Sequence, residues 1–418
     1  MGAPMTARSR ATKREEVVVL GGGFAGLAAL RSLPPRLRTT LVDERGAFEF
    51  LPNVHELISG LKTPDLLRLP LAPLARQARA RFVRARVEEV DPDGRAVRLR
   101  GGRTLRYDAL VFALGGVNAG RGVAGIECHA FPFKSVDQVA RIARRLDALA
   151  AVRGEPQPVV VVGGGLEGVE ALGEILRRDP ENLAFRPTLI EAGPRLLPEA
   201  PAGVARSIAR HAHARGAVLR TGVPVSALRA GQVVLANGAR LPSRCTVWTG
   251  GPAPSPVLAA SGLAAPGRWC AVEDTLAHPR HPEIFVCGDA AELPVPSAKQ
   301  GYHALDTGTH AARNVARLLA GKKPAPFRAQ AKPTLVSFGD LDTYLVWGRF
   351  AAASPLLAGT KEAVYEIVMA RLDDRPPAAR ARDAVRRLLE AGRGLVWPGL
   401  VSPAALLRAG RFEVLGAR

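Results

Sequence analysis

Two short apolar runs set the frame of the chain. Val17–Leu20 reads VVVL and Val159–Val162 reads VVVV, uninterrupted by polar residues. Such runs are the pattern of strands buried on both faces, as in parallel sheets. Each runs into a glycine turn, Gly21, Gly23 and Gly26 in the first case and Gly163, Gly165 and Gly168 in the second. The spacing then becomes helical, through Leu27, Ala28, Leu30 and Leu33, and through Val169, Ala171, Leu172 and Ile175. Pro34-Pro35 ends the first helix. Further strands are predicted at 39–42, 110–116, 187–190, 245–251 and 284–291, and helices at 137–152 and 303–319. Asp93-Gly94 and Asn237-Gly238 mark hairpin turns. Beyond Pro324 the pattern predicts strands around Gly339-Asp340 and helices over 362–372 and 378–390. Residues 48–60 mix aromatics, Pro52 and polar residues, as a loop and short helix lying over a flat ring would.

Strand, G-x-G-x-x-G and helix in that order form the dinucleotide fingerprint. The first glycine permits the tight turn, the second lets a pyrophosphate approach the backbone, and the third lets helix and strand pack closely. The helix N-terminus offers free N–H groups to the phosphates. An acid about 20 residues further on is expected to meet the ribose hydroxyls. Asp43 and Glu191 stand there, each at the end of the next strand. An acid at Glu191 suits a free 2′-hydroxyl and repels a 2′-phosphate, which favours NADH over NADPH; nearby Arg195 keeps NADPH open. Two fingerprints in one chain point to two dinucleotides.

Composition changes this picture little. A chain of 418 residues with 47% hydrophobic and 23% charged residues is an ordinary globular protein of two or three domains. The net charge of +20 suits nucleic acid, an anionic membrane surface or an acidic partner. The arginines are dispersed, however, which reads as a solvated surface, and no nucleic acid is expected. Cys128, Cys245, Cys270 and Cys287 form no C-x-x-C pair and no zinc spacing, so a reducing compartment and no metal are expected. Residues 1–15 read as a basic, flexible arm without the apolar stretch of a signal peptide.

The ordered set GGGFAG, YDALVFALGG, VVVVGGGLEGVEALGE, IEAGPRLLP, VWTGG and IFVCGDAA, over roughly residues 16–325, resembles the two-dinucleotide flavoproteins that include the disulfide reductases. The motif order is most similar to type II NADH:quinone oxidoreductases. The resemblance implies an α/β fold with two Rossmann-like domains, an FAD domain with the NAD(P)H domain inserted, and a C-terminal α+β segment. The implied boundaries are 16–132 and 253–325 for FAD, 133–252 for NAD(P)H and 326–418 for the C-terminal part. It implies hydride transfer from NADH to FAD and electron delivery to a quinone. The cofactor-binding residues it implies are Gly21, Gly23, Phe24, Ala25, Gly26, Asp43, Pro52, Val87, Ala113, Gly115, Gly163, Gly165, Gly168, Glu191, Gly250, Gly288 and Asp289.

Glu170 matches a family carboxylate near the transfer point, and as a first-turn glutamate it also reads as stabilising the helix dipole. Glu174 reads as structural. Two departures stand out. The family's glutamine-bearing quinone turn is replaced by Gly301-Tyr302-His303-Ala304-Leu305-Asp306, with Gln300 one residue early. Tyr302 then becomes the candidate catalytic contact, through stacking or its hydroxyl, against packing between domains. The cysteines lack the spacing for disulfide or sulfide chemistry. In the tail, residues 371–418 carry ten arginines and five acids. There Val385, Leu388 and Leu389 share a helix face flanked by Arg382, Arg386 and Arg387, as at a membrane interface. A cap on the flavin domain and a homodimer contact are the alternatives. The expected location is cytoplasmic, peripheral on the membrane face. The competing functions are a soluble NAD(P)H-dependent flavoprotein reductase of a ferredoxin-like or other acceptor and a redox-sensing or nucleic-acid-binding flavoprotein that resembles apoptosis-inducing factor.

Overall fold

The computed structural model describes residues Arg14–Leu372 and Glu413–Leu415. The predicted helix over 378–390 and the apolar stretch after it lie outside the described residues. In chain order, the elements that build the sites begin with β1 (Glu16–Leu20), α1 (Phe24–Ser32), β2 (Arg38–Asp43), β3 (Arg81–Arg84) and β4 (Ala109–Phe112). Next come α2 (Val136–Ala150), β5 (Gln157–Val162), α3 (Leu166–Arg178), β6 (Phe185–Glu191), α4 (Ala202–Ala214), β7 (Val218–Thr221) and β8 (Cys245–Trp248). The series ends with β9 (His281–Val286), α5 (Gly301–Leu319), β10 (Thr334–Phe338), β11 (Asp342–Trp347), β12 (Phe350–Ala353), α6 (Leu357–Leu372) and β13 (Glu413–Leu415).

The chain divides into two compact units. The first comprises the described residues up to Gly46, Leu71–Gly115 and Pro254–Ala329. Its sheet runs β9-β4-β1-β2-β3, all parallel, with Ala277–His278 added antiparallel at one edge. Val17, Val19 and Leu20 are fully buried, as the unbroken apolar run requires of a strand covered on both faces. Because β1 lies between β2 and β4, the chain turns opposite ways on its two sides. Ligands of such sheets bind at the carboxyl ends of the strands at this switch point.

The second unit comprises Ala47–Pro70, Gly116–Ala253 and the described residues from Gln330 onward. It repeats the design: β8-β5-β6-β7 are parallel, with Phe131–Pro132 beside β8. It also holds the antiparallel sheet β10-β11-β12-β13, with the tail strand Glu413–Leu415 pairing Ala351–Ala353. Residues 47–70, which the motif order places beside the first fingerprint, cluster with this second unit.

No helix among the described residues is long and apolar enough to cross a membrane.

Candidate functional site

The two glycine turns have the same geometry. Gly21 and Gly163 adopt φ of +98° and +111°, a region open to glycine. The N–H of Gly21 donates to Val42 O and that of Gly163 to Ile190 O, both at 2.8 Å. A Cβ on Gly26 would collide with Gly21 O, and one on Gly168 with Gly163 O, so each helix packs backbone to backbone against its turn. Nothing lies within 4 Å of the Cβ position of Gly23 or Gly165, the N-caps of α1 and α3. The middle glycine of each fingerprint is thus the one with open space beside the helix N-terminus. That is the cradle a pyrophosphate needs.

The acids also correspond. Asp43 Oδ2 accepts the N–H of Gly22 at 2.7 Å, and its Oδ1 accepts that of Arg45 at 2.7 Å. Burial pushes the Asp43 carboxyl above its ordinary range; the Gly22 N–H and the Arg45 charge work in the opposite direction. Glu191 Oε2 accepts the N–H of Gly164 at 2.5 Å, and its Oε1 accepts that of Gly193 at 2.6 Å. Each carboxylate is therefore held at the lip of its turn. Arg195, which kept NADPH open, donates instead to the carbonyls of Leu197 (2.8 Å), Ala200 (3.0 Å) and Pro198 (2.6 Å). Its guanidinium is spent on closing the loop after Glu191.

In the first unit, the sequence-predicted residues gather at the end of β1. Ala113 follows β4, its O abutting the Cβ position of Gly21, and its Cβ lies 3.6 Å from that of Gly26. Gly115 turns with φ of +63°. Gly288 has φ of +65°, a Cβ on it would lie 2.9 Å from the Ala25 methyl, and its N–H donates to Thr307 Oγ1 at 3.0 Å. Asp289 follows in a single helical turn, and its carbonyl accepts Lys299 Nζ at 2.5 Å. The Cβ position of Gly301 is 3.5 Å from the Phe24 ring, at the start of α5. Tyr302 is half-buried one residue on, and burial pushes its hydroxyl pKa up. Val87 lies elsewhere in this unit, buried in a small antiparallel sheet and paired with Leu99.

In the second unit, Pro52 lies in the turn Leu51–Asn53. Gly250 follows β8, its Cβ position 2.8 Å from the Trp248 ring. The helix-dipole place in the first turn of α3 belongs to Glu167, which pairs with Lys134. Glu170 is further along and buried. Its Oε1 accepts Lys361 Nζ at 2.5 Å and the Ser337 N–H at 3.2 Å, and its Oε2 lies 3.4 Å from His55 Nδ1. Lys361 Nζ is also 3.2 Å from His55 Nε2. Burial, then the charges of Lys361, Arg177 and Lys62, hold the imidazole well below its usual pKa. A neutral ring accepting at Nε2 carries its proton on Nδ1, aimed at Glu170. Burial raises the Glu170 pKa, while Lys361 and the Ser337 N–H oppose the shift. Glu174 accepts from Ser59 Oγ and lies 3.6 Å from Arg177; burial pushes its pKa up to about 7.

Lys361, His55 and Ser337 were missed by the sequence reasoning. They lie 115 or more positions from Glu170, and no motif spacing links them. The one available signal was His55-Glu56 in a stretch already read as a ring cover.

The thiols of Cys245, Cys270 and Cys287 are buried, and burial pushes each up to about 12. Cys128 is exposed. Among the described residues no group of three or more His, Cys, Asp or Glu could hold a metal ion.

Residues 15–313 match the family model described as pyridine nucleotide-disulphide oxidoreductase. A protein of Staphylococcus epidermidis named type II NADH:quinone oxidoreductase is 28% identical over 370 residues, covering 81% of this chain and 91% of that protein. The fold is shared with the structure of NDH2 from Plasmodium falciparum in complex with NADH. That match has a TM-score of 0.80 at 14% identity and covers 91% of this chain and 98% of the other. It is shared too with the sulfide:quinone oxidoreductase of Aquifex aeolicus, with a TM-score of 0.72 at 21% identity, covering 96% and 97%.

Proposed function

The chain belongs to the pyridine nucleotide-disulphide oxidoreductase family, and on that premise we propose that it is an FAD-dependent NADH dehydrogenase delivering electrons to a quinone. The observation that carries this reading is the duplicated turn, each copy with an open second glycine and a carboxylate at its lip. One copy takes FAD and the other NADH. The assignment of the second to NADH rests on Glu191, with Arg195 committed to carbonyls.

The residues present fit the two groups. Gly23 leaves the backbone at the helix N-terminus open to the FAD pyrophosphate, Gly21 and Gly26 permit the tight turn and the close packing of the helix against it, and Asp43 is assigned to the ribose hydroxyls. Gly288 and Asp289 begin the element assigned to the flavin's ribityl-phosphate region. Gly163, Gly165 and Gly168 would do for NADH what the first turn would do for FAD, and Glu191 would accept from its ribose hydroxyls. When bound, FAD would supply two-electron chemistry between NADH and the acceptor.

Reduction of a quinone by NADH consumes one proton: NADH, H⁺ and quinone give NAD⁺ and quinol. Glu170, Lys361 and His55 form the buried trio able to hold that proton, at Lys361 Nζ and His55 Nδ1, beside a carboxylate that can accept it. Tyr302 is assigned to the quinone end in place of the family's glutamines. The buried thiols support no dithiol step, since thiolate is the reactive form.

Attachment to an anionic membrane face is assigned to the tail. Its test is sedimentation with vesicles containing anionic lipid after Arg382→Glu, Arg386→Glu and Arg387→Glu. Undiminished binding defeats it. The test of the function is the purified protein itself. A yellow protein that NADH bleaches and a short-chain quinone recolours supports the reading, and a colourless protein that takes up no FAD overturns it.

A further inference from the structure

A glycine sits in the middle of α3, where alanine would favour the helix. The reason is a neighbour. A Cβ on Gly173 would lie 2.5 Å from Gly339 N and 2.8 and 2.9 Å from the C and Cα of Phe338. A Cβ on Gly339 would collide with Gly173 O, and Gly339 has φ of +60°. Helix and turn therefore meet backbone to backbone, and both glycines are buried. Two further contacts join the same helix face to the same turn. The Ser337 N–H donates to Glu170 at 3.2 Å, and Arg177 Nη2 donates to Gly339 O. Residues 170, 173 and 177 recur at the i, i+3, i+7 spacing of one face. Of the three contacts, the glycine pair has no side chain with which to absorb a shift.

We propose that Gly173 and Gly339 are positioning residues for Glu170. Their contact brings the β10–β11 turn close enough for the Ser337 N–H to fix the carboxylate against Lys361. The inference rests on the role given to Glu170 above. The charged and titratable groups facing Glu170 are Lys361 on α6 and His55 and Glu56 from residues 47–70. Glu174 and Arg177 lie further along its own helix.

The test uses the full FAD-loaded chain with Gly173→Ala and Gly339→Asn, each alone and combined with Glu170→Gln. Asparagine tolerates positive φ but adds the Cβ, so Gly339→Asn probes the close approach and not the turn conformation. The readout is stopped-flow re-oxidation of the NADH-reduced protein by ubiquinone-1 across pH.

The inference expects each glycine variant to slow re-oxidation about tenfold when Glu170 is present and less than about twofold with Glu170→Gln, the coupling expected of groups acting as one unit. It also expects the carboxyl limb of the pH profile to move up by about one unit, since a hydrogen bond to the charged form is lost. Equal slowing in both backgrounds with an unmoved limb overturns it and leaves a packing contact only. If Gly173→Ala does not fold, Gly339→Asn decides alone. A Glu170→Gln protein with unchanged re-oxidation at every pH overturns the role of Glu170 itself, and the inference with it.

Discussion

Replacing Lys361 by Met strips the cation from a buried carboxylate while keeping the side-chain length. Glu170 is 5% exposed and Lys361 is 7% exposed, so water cannot take the place of the lost partner. Breaking a buried pair on one side costs about 3–5 kcal/mol if the remaining charge stays. The carboxyl has one escape, which is to take up a proton. Relative to its ordinary value of 4.5, holding that proton costs under ~1 kcal/mol at pH 5 and about 5 kcal/mol at pH 8, at 1.36 kcal/mol per unit.

The sign follows from the direction of the shift. The folded-state pKa of Glu170 is already raised, and removing Lys361 raises it further. Stability is therefore fully present below 4.5 and is lost as pH rises towards the folded value. The deficit of Lys361→Met should grow from about 1 kcal/mol at pH 5 to about 3–5 kcal/mol at pH 8. Urea unfolding followed by far-ultraviolet circular dichroism at pH 5, 6.5 and 8 measures it. Adding Glu170→Gln should recover most of the loss at pH 8. A deficit that does not change with pH, or a double variant no more stable than the single one, refutes the argument.

Four further outcomes are expected. Gly168→Ala drives a methyl into Gly163 O, so NADH affinity should fall about five- to 150-fold, from about 1–3 kcal/mol of overpacking, while FAD stays bound; fluorescence titration measures both. Glu191→Ala should raise the KM for NADH several-fold more than that for NADPH, and an equal rise for both would refute the cofactor assignment. Glu174, pushed up to about 7, contributes stability that is present below 4.5 and lost between there and pH 7. Glu174→Gln should therefore flatten the urea midpoint over that window, by about 3 kcal/mol at the upper end; an unflattened midpoint counts against it. Iodoacetamide should modify the exposed Cys128 and spare Cys245, Cys270 and Cys287, as intact-mass analysis would register.

Both glycine turns, their strands and the two lip acids were legible because local rules govern them. A tight turn needs positive φ, a helix packed on it needs no Cβ, and the acid ends the next strand. The sheet around Gly339-Asp340 was legible for the same reason. The surroundings of Glu170 were not. Its partners come from residues 47–70, from β10 and from α6, brought together by tertiary packing. Nothing local told the GVE glutamate from a dipole-stabilising one, and the role went to Glu167 instead. Gly173 passed as an indifferent helical residue, because the backbone it meets lies 166 positions further on. Arg195 shows the converse: sequence proximity left it available to a 2′-phosphate, while in the fold its guanidinium donates to the carbonyls of Leu197, Pro198 and Ala200.

The central claim is a relay from NADH through bound FAD to a quinone. Anaerobic stopped-flow absorbance of the purified protein tests it most directly. NADH should bleach the flavin band at 1:1 stoichiometry, and one equivalent of ubiquinone-1 should restore it faster than oxidised ferredoxin or oxygen does. A flavin that NADH does not bleach, or that ubiquinone-1 leaves bleached, contradicts the account.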